Sequence, residues 1–224
     1  SGIILSGVGD QTYPKLQDYI GKVPMVFLGD NIPEGLVSQI TVNNYEGTCI
    51  ATRYLISLGY RNLAFLGGRE SSITHQHRHK GFLDTTSKAA DVKHEIFTCL
   101  SGSRIEDGYR TGLAYFDQCS EQKRQMATGI LCISDHFALG FMQAAAECGV
   151  DIPRQVSLIG FDDVSFAALP RIQLTTVSQP KEEICSVAVE TLEELIRTNN
   201  YTETGRRVIQ PVLVRRDSCA PPGR

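Results

Sequence analysis

The amino-acid sequence predicts an α/β protein whose strands form parallel, doubly wound sheets, and two observations support this prediction. Short apolar runs bounded by glycine and polar residues recur along the chain, as expected for strands that are covered on both faces. Segments with a helical spacing of apolar residues lie between these runs. Strands that alternate with helices are typical of parallel sheets with helices packed on both faces.

The predicted strands are short aliphatic or β-branched runs. They span residues 3–5, 25–28, 63–66, 130–133 and 156–159, with residues 96–99 as a weaker candidate. Each run has a suitable length for one buried strand. The chain has 224 residues, which is enough for one large domain or for two lobes of about 100 residues each.

Four segments carry apolar residues at the spacing of one helix face. They cover residues 51–58, 105–116, 138–145 and 184–196. Gly59 follows the first segment as a predicted C-terminal cap, and the last segment begins shortly after Pro180. Asp135 is the predicted N-cap of the third segment, and Gly149 is its predicted end.

The composition favours an ordinary globular protein of the cytoplasm. The formal net charge is −3 and the pI is about 6.0, so the sequence lacks the basic excess of a nucleic-acid-binding surface. No apolar run approaches the roughly 18 residues of a membrane-spanning helix. The seven cysteines, an odd number without a CxxC pair, are interpreted as reduced core residues. We therefore expect a cytoplasmic protein that has no membrane partner.

Small and polar residues follow the predicted strands at their carboxyl ends. They are residues 67–72, Ser134 with Asp135, and residues 160–163. Ligands of open parallel sheets bind beyond these ends, so the pattern predicts a site for a small polar molecule. Asp135 could instead be a simple helix cap. Asp162 and Asp163 are adjacent, so we expect their side chains to point in different directions and not to form a catalytic pair.

Residues 75–82, HQHRHKGF, hold three of the five histidines beside an arginine. On a helix, His75 and His79 would share a face, as zinc ligands do. The spacing places no acidic residue or cysteine beside them, so we favour solvent-facing histidines over a metal site. We therefore expect neither a metal nor another cofactor. Arg78, in contrast, belongs to a larger pattern together with Gly81 and Phe82.

Six motifs resemble the lactose-repressor (LacI/GalR) family of transcription regulators. They are residues 43–68 (NNYEG followed by ATRYLISLGYRNLAFLGG), 78–82 (RHKGF), 134–140 (SDHFALG), 149–163 (GVDIPRQVSLIGFDD), 174–180 (LTTVSQP) and 213–218 (LVRRDS). One such motif would be weak evidence, whereas six in the family's order cover nearly the whole chain.

The resemblance implies an effector-binding domain of the periplasmic-binding-protein type. Such a domain has two α/β lobes joined by three crossovers, with an effector, usually a sugar or nucleobase, bound between the lobes. In this sequence the first lobe, which is incomplete, would comprise residues 1–61 and 178–203. The second lobe would comprise residues 62–177 and 204–224.

The resemblance also implies the residues that contact the effector. Arg78 matches the family's effector-contacting arginine, and Asp162 matches the acidic residue of its Gly-aromatic-Asp motif. An aspartate and a guanidinium can bind adjacent sugar hydroxyls directionally, so the expected effector is a small polar molecule, foremost a sugar. Many members carry an asparagine where this chain has Ser134. The remaining effector-binding candidates are Ser72, Thr74, Ser134 and Asp135.

The resemblance implies two further partners, a second copy of the chain in a homodimer and operator DNA. Operator DNA would be held by an N-terminal helix-turn-helix headpiece. Residues 1–5 resemble the family's third strand. We therefore expect the headpiece, the hinge and the first two strand-helix units to lie outside this sequence, which would leave apolar faces of the first sheet open.

Two other functions share this kind of fold. A sugar-binding protein for transport is the main alternative, although many free thiols argue against a secreted protein. An α/β enzyme has less support, because the sequence contains no GxSxG elbow, Walker loop, HExxH motif or GxGxxG after a strand. The sequence therefore predicts the effector-binding and dimerisation domain of a transcription repressor, and not an enzyme.

Overall fold

The computed structural model describes residues 1–7, 13–30, 35–69, 71–98, 102–121, 126–202 and 204–223. The chain forms two compact units. The first comprises Ser1–Asn43 and Gln179–Pro211, and the second comprises Asn44–Ser178 and Val212–Arg224. The chain therefore passes from one unit to the other three times, which agrees with the predicted three crossovers.

The first unit is built on a four-stranded parallel sheet. Its strands are β1 (Ile3–Ser6), β2 (Met25–Leu28), β3 (Ser38–Val42) and β9 (Arg206–Ile209), in the order β1-β2-β3-β9. A short helix, α1 (Tyr13–Leu16), continues into a 3-10 turn, and α6 (Lys181–Thr198) follows the return of the chain. Ala188 and Leu195 of α6 pack against the sheet at Val26 and Ile40. At the β1 edge, Ile3 is 42% exposed, so this end of the sheet is only partly covered.

The second unit is built on a six-stranded sheet. Its strands are β4 (Asn62–Leu66), β5 (Lys93–Phe97), β6 (Gly129–Cys132), β7 (Ser157–Asp162), β8 (Thr175–Ser178) and β10 (Val212–Val214), in the order β10-β8-β7-β6-β4-β5. All neighbours are parallel except β10, which runs antiparallel to β8. Its helices are α2 (Asn44–Ser57), α3 (Ile73–Thr86), α4 (Ile105–Glu121) and α5 (Asp135–Glu147), with a 3-10 turn at Ser165–Ala168. The predicted α/β class with parallel, doubly wound sheets is confirmed.

The main core lies in the second unit. The side chains of β4 and β6 are fully buried at Leu63, Phe65, Ile130 and Leu131, because helices cover both faces of these central strands. This explains why the central strands are continuous apolar runs in the sequence. Strand β5 lies at the edge, and its pattern is correspondingly weaker.

The apolar strands that the sequence predicts are present, and two polar strands were missed. Strands β3 (sequence SQITV) and β8 (TTVS) carry serine, threonine and glutamine, yet all or nearly all of their residues are buried. Threonine is β-branched and suits a strand. The weaker candidate at residues 96–99 corresponds to β5, which ends at Phe97, and Cys99 lies outside the described residues.

The division between the units differs from the expected one. It falls after Asn43 and not after residue 61, because α2 packs with the second unit. Gly47 of α2 lies so close to Phe161 that an added Cβ would be 2.8 Å from that ring. Near the C-terminus, β9 pairs with β3 and belongs to the first unit, so the second unit resumes only at Val212.

The cysteines are less uniformly buried than expected. Cys49 and Cys132 are buried, whereas Cys148 and Cys185 are exposed, so the prediction of core positions is wrong for these last two. Cys49, Cys132, Cys148, Cys185 and Cys219 are free thiols. Among the described residues, no helix combines the length and the apolar character needed to cross a membrane.

Candidate functional site

Helix α3 places Arg78 at the carboxyl edge of the second sheet. The helix begins after Ser72, whose hydroxyl accepts a hydrogen bond from the backbone N–H of His75 at 3.4 Å and so acts as the N-cap. Gly81 allows α3 to approach the start of α2, since an added Cβ would lie 2.4 Å from the carbonyl oxygen of Tyr45. The glycine of the RHKGF motif therefore serves this close helix contact.

The Arg78 guanidinium is buried and held on several sides. Its Nε donates to Asn44 Oδ1 at 2.9 Å, one Nη donates to the Ile133 carbonyl, and the other Nη donates to Asp162 Oδ1 at 3.2 Å. The guanidinium carbon also lies 3.6 Å from the centre of the Phe161 ring. These contacts come from α2, from the residue that follows β6 and from β7, so they fix the orientation of the guanidinium plane.

Asp162 completes the pair in an unusual backbone conformation. It is the last residue of β7 and has φ of 114°, a value that side-chain-bearing residues rarely adopt. Its side chain is 25% exposed, compared with 6% for Arg78. Such strain persists only where surrounding contacts impose it, and it is concentrated at functional sites. The carboxylate is therefore held at the sheet edge by Arg78 while remaining in contact with solvent.

Asp163 forms a separate ion pair, as expected for adjacent residues that point in different directions. Its Oδ1 accepts a hydrogen bond from Arg216 Nη2 at 2.6 Å, and Arg216 also donates to the Leu174 carbonyl at 2.8 Å. Asp163 has φ of 48°, in the left-handed region. This pair links the end of β7 to the C-terminal segment.

Asp135 lies inside the unit and not at the surface of the edge. It is fully buried, its Oδ1 accepts from the Thr176 hydroxyl, and its Oδ2 accepts from the Val164 N–H at 2.9 Å. Gly160 makes room for this carboxyl group, because an added Cβ would lie 2.1 Å from Oδ1. Asp135 thus anchors the segment that follows Asp162, a position that differs from the predicted cap and from a direct effector contact.

Burial raises the pKa of Asp135 to about 7. The hydrogen bonds from Thr176 and Val164 favour the carboxylate and oppose this rise, whereas the charges of Asp162 and Asp163 add to it. The protonation of this buried group is therefore coupled electrostatically to both ion pairs at the end of β7.

The other predicted effector-binding residues, Ser72, Thr74 and Ser134, lie at the beginnings of helices α3 and α5. Ser134 is the N-cap of α5, accepting from the Phe137 N–H at 3.2 Å, and its hydroxyl donates to the Ser103 carbonyl at 2.9 Å. Thr74 is half-buried on α3, one helical turn before Arg78 and therefore on the same face. The structure thus brings Arg78 and Asp162 together directly, whereas Ser72 and Ser134 act as helix caps.

The histidines of HQHRHKGF are not simply solvent-facing, so that interpretation is wrong for two of them. His75 Nδ1 accepts from the Arg69 N–H at 2.8 Å, and His79 Nε2 donates to the Gly67 carbonyl at 3.0 Å. Burial, followed by the charge of Arg78, lowers the pKa of His75 to about 4, so it is neutral near pH 7. Both rings hold the loop between β4 and α3. No cluster of potential metal ligands occurs within the described residues.

Two residues of the site were missed as partners of Arg78. Asn44 and Phe161 both lie inside motifs that carry the family resemblance, NNYEG and IGFDD. Their roles depend on contacts between residues far apart in the sequence, which spacing does not reveal.

A two-unit α/β fold with three crossings and polar side chains beyond the ends of parallel strands is typical of the periplasmic-binding type of domain. Residues 52–219 match the periplasmic binding protein-like domain family. The chain belongs to this family, and it is similar to regulators of the LacI family.

Relatives of known class support this assignment. The chain is 32% identical over 219 residues to an HTH-type transcriptional repressor PurR of Erwinia tasmaniensis, covering 97% of this chain and 62% of that protein. A regulatory protein of the LacI family from Chloroflexus aggregans is 28% identical with a TM-score of 0.81, covering 97% of this chain and 76% of that chain. The names are those of transcription regulators, in agreement with the prediction that the chain is not an enzyme.

A more distant structure shares the fold. A LacI family transcriptional regulator from Enterococcus faecalis V583, with bound ribose, has 23% identity and a TM-score of 0.80, covering 98% of this chain and 78% of that chain. The chain spans 62% of the length of the PurR repressor it matches.

Proposed function

We propose that the chain is the effector-binding domain of a transcription repressor and that Arg78 and Asp162 bind the effector. The observation that carries this proposal is the Arg78–Asp162 pair at the carboxyl edge of the second sheet, with its strained Asp162 backbone. A side chain kept in an unfavourable conformation, and still partly exposed, is better explained by ligand binding than by stability.

The effector that fits this chemistry is a small molecule with adjacent hydroxyl groups, most directly a sugar. A carboxylate accepts hydrogen bonds from two neighbouring hydroxyls, and the guanidinium beneath it fixes the direction in which its oxygens point. Thr74, on the same face of α3 as Arg78, can supply a further hydroxyl. The ribose bound to the Enterococcus faecalis regulator supports the same class of ligand.

Repression would require partners outside this chain. We propose that it functions as a homodimer and that operator DNA is contacted by a helix-turn-helix segment, as the name of the PurR relative suggests. The formal net charge of −3 supports placing the DNA contacts elsewhere. A regulator of this kind acts in the cytoplasm, and the free cysteines are compatible with a reducing compartment. The regulator relatives favour this function over the alternative of a sugar-binding protein for transport.

A thermal-shift screen against sugars, sugar phosphates and nucleobases tests the proposal. A ligand that binds only the folded state raises the melting temperature, so a true effector will be recognised by its stabilisation. The same ligand should fail to stabilise the Arg78→Lys variant, because an ammonium cannot replace the planar fork of donors. An equal shift in both proteins would contradict the role of Arg78.

A further inference from the structure

A groove separate from the Arg78 site lies between α2 and α3 in the second unit. Its volume is ≈ 470 Å³, within the range of roughly 300–1,000 Å³ that is typical of small-molecule sites. Its lining is Tyr45, Glu46, Cys49, Arg53 and Ile56 of α2, with Thr85, Lys88 and Ala89 at the end of α3 and beyond it. None of these residues belongs to the proposed effector site.

The close helix contact at Gly81 closes one end of this groove. The Cys49 thiol lies 3.5 Å from the Gly81 carbonyl and donates to it, and an added Cβ at Gly81 would meet the backbone of Tyr45. Helix α3 ends at Thr86, whereas α2 continues alongside with Arg53 and Ile56. The groove is therefore the space that α3 leaves beside the second half of α2.

The charges at the groove favour an anion. Glu46 and Arg53 form an ion pair two helical turns apart, with Cys49 between them. Lys88 is exposed at the rim and adds a second cation. The Tyr45 hydroxyl donates to Asp84 Oδ2 at 3.0 Å, so its polar atom is engaged and its ring borders the groove. The lining residues include two cations and one carboxylate, and Asp84 beside Tyr45 is paired with Lys80, so the groove carries one more cation than carboxylate beside its apolar side chains.

We propose that this groove is a second binding site, for a small carboxylate with an aromatic or aliphatic body, and that its occupancy is transmitted to Arg78. The carboxylate would lie at Lys88 and Arg53, and the apolar body would pack on Ile56 and Ala89. The transmission depends on two contacts across the same helix pair. Asn44, which precedes Tyr45, accepts from Arg78 Nε, and Gly81 follows Arg78 by one turn on α3.

A ligand that shifts α2 relative to α3 must therefore change the bond between Asn44 and Arg78. This would make the groove a regulatory site for whatever binds at Arg78, because two sites that bias the same helix arrangement are energetically coupled.

Titration with a panel of aryl and alkyl carboxylates, from benzoate to naphthoate and hexanoate, tests the binding step. Each acid is paired with its neutral primary amide, and binding is followed by ligand-observed NMR at millimolar concentrations. We expect saturable binding of at least one acid, weaker binding of its amide, and a loss of about tenfold in Lys88→Glu. Ala89→Trp should fill the groove and abolish binding, whereas Lys93→Glu, which reverses an exposed lysine outside the groove, should bind normally.

The absence of saturable binding by any acid, or equal affinity in Ala89→Trp, would overturn the assignment of the site. The coupling to Arg78 is tested in a separate measurement, which follows the NMR resonance of Arg78 Nε–H. This resonance should shift when the acid saturates the wild-type protein and should stay unchanged in Ala89→Trp. An unchanged resonance at saturation would overturn the coupling. Neither readout requires the effector, so a failure of the proposed function would leave both results interpretable.

Discussion

Asp162 and Asp163 are neighbours at the end of β7, yet their ion pairs lie in different regions of the second unit. Asp162 pairs with Arg78 at the carboxyl edge of the sheet, whereas Asp163 pairs with Arg216 of the C-terminal segment. The two pairs are similarly buried, with 6% and 25% exposure for the first and 14% and 23% for the second. Burial therefore does not distinguish a binding site from a structural link.

The backbone does distinguish them. Asp163 has φ of 48°, in the left-handed region that aspartate adopts with little penalty, whereas Asp162 has φ of 114°, which favours glycine. Glycine would relax the backbone at position 162, although it would also remove the carboxylate that pairs with Arg78. The carboxylate that remains there points to a function, and the matched neighbour at position 163 provides an internal control for every test below.

The largest difference is expected when the two arginines are removed. Arg78→Ala removes one donor from Asp162, from Asn44 and from the Ile133 carbonyl, so it should cost about 3–5 kcal/mol of stability and abolish effector binding. Arg216→Ala removes the charged donor of Asp163, so it should also destabilise the fold, by about 1.5–3 kcal/mol, and leave effector affinity unchanged. Urea unfolding and titration of both variants provide the comparison. Loss of binding in Arg216→Ala would remove the distinction between the two pairs.

A smaller effect isolates the strain at Asp162. Asp162→Ala and Asp162→Gly both remove the carboxylate, but only glycine relaxes at φ of 114°. We expect Asp162→Gly to be more stable than Asp162→Ala by about 1–2 kcal/mol in urea unfolding.

Asp117, exposed within α4, is the control for this pair of substitutions. In a helix interior glycine is worse than alanine by about 1 kcal/mol, so Asp117→Gly should be less stable than Asp117→Ala. If the glycine variant were less stable than the alanine variant at both positions, the backbone of Asp162 would not be strained.

The smallest net effect on the wild-type protein concerns Asp135, which lies beneath both pairs, because His75 opposes its pH dependence. Its native pKa of about 7 exceeds its ordinary value of 3.8, so the native state keeps a proton that the unfolded state releases. Its contribution to stability therefore falls as pH rises from about 4 to about 7, by at most ~4 kcal/mol. The pKa of His75 is lowered from 6.5 to about 4, so its contribution rises over nearly the same range.

Single variants separate these two opposing contributions. Between pH 4 and about 6.5, the free energy of unfolding should rise with pH in Asp135→Asn and fall in His75→Gln. Urea unfolding at several pH values measures both slopes. Slopes of the same sign in the two variants would contradict the assigned protonation states.

The sequence predicted the features that depend on local pattern. Continuous apolar runs identified the central strands, and the motifs identified Arg78 and Asp162, which the structure places in contact. The threonine-rich strands β3 and β8 were missed because their burial comes from the neighbouring elements and not from their own apolar character.

The remaining features depend on tertiary contacts. Asp135 can be buried only because Gly160 has no side chain in the space that the carboxyl group occupies. His75 and His79 hydrogen-bond to the loop after β4, and these contacts depend on the course of that loop. The unit boundary at Asn43 is likewise set by the packing of α2, which no spacing of residues in the sequence encodes.

Calorimetric titration of the effector found by thermal shift into Asp162→Asn and Asp163→Asn is the most direct test of the central claim. Both variants replace a carboxylate by a neutral amide of the same size, in adjacent residues with similar exposure. We predict that Asp162→Asn loses about 100-fold in affinity while Asp163→Asn binds like the wild type. Equal affinity in the two variants would contradict the assignment of Asp162 to the effector site.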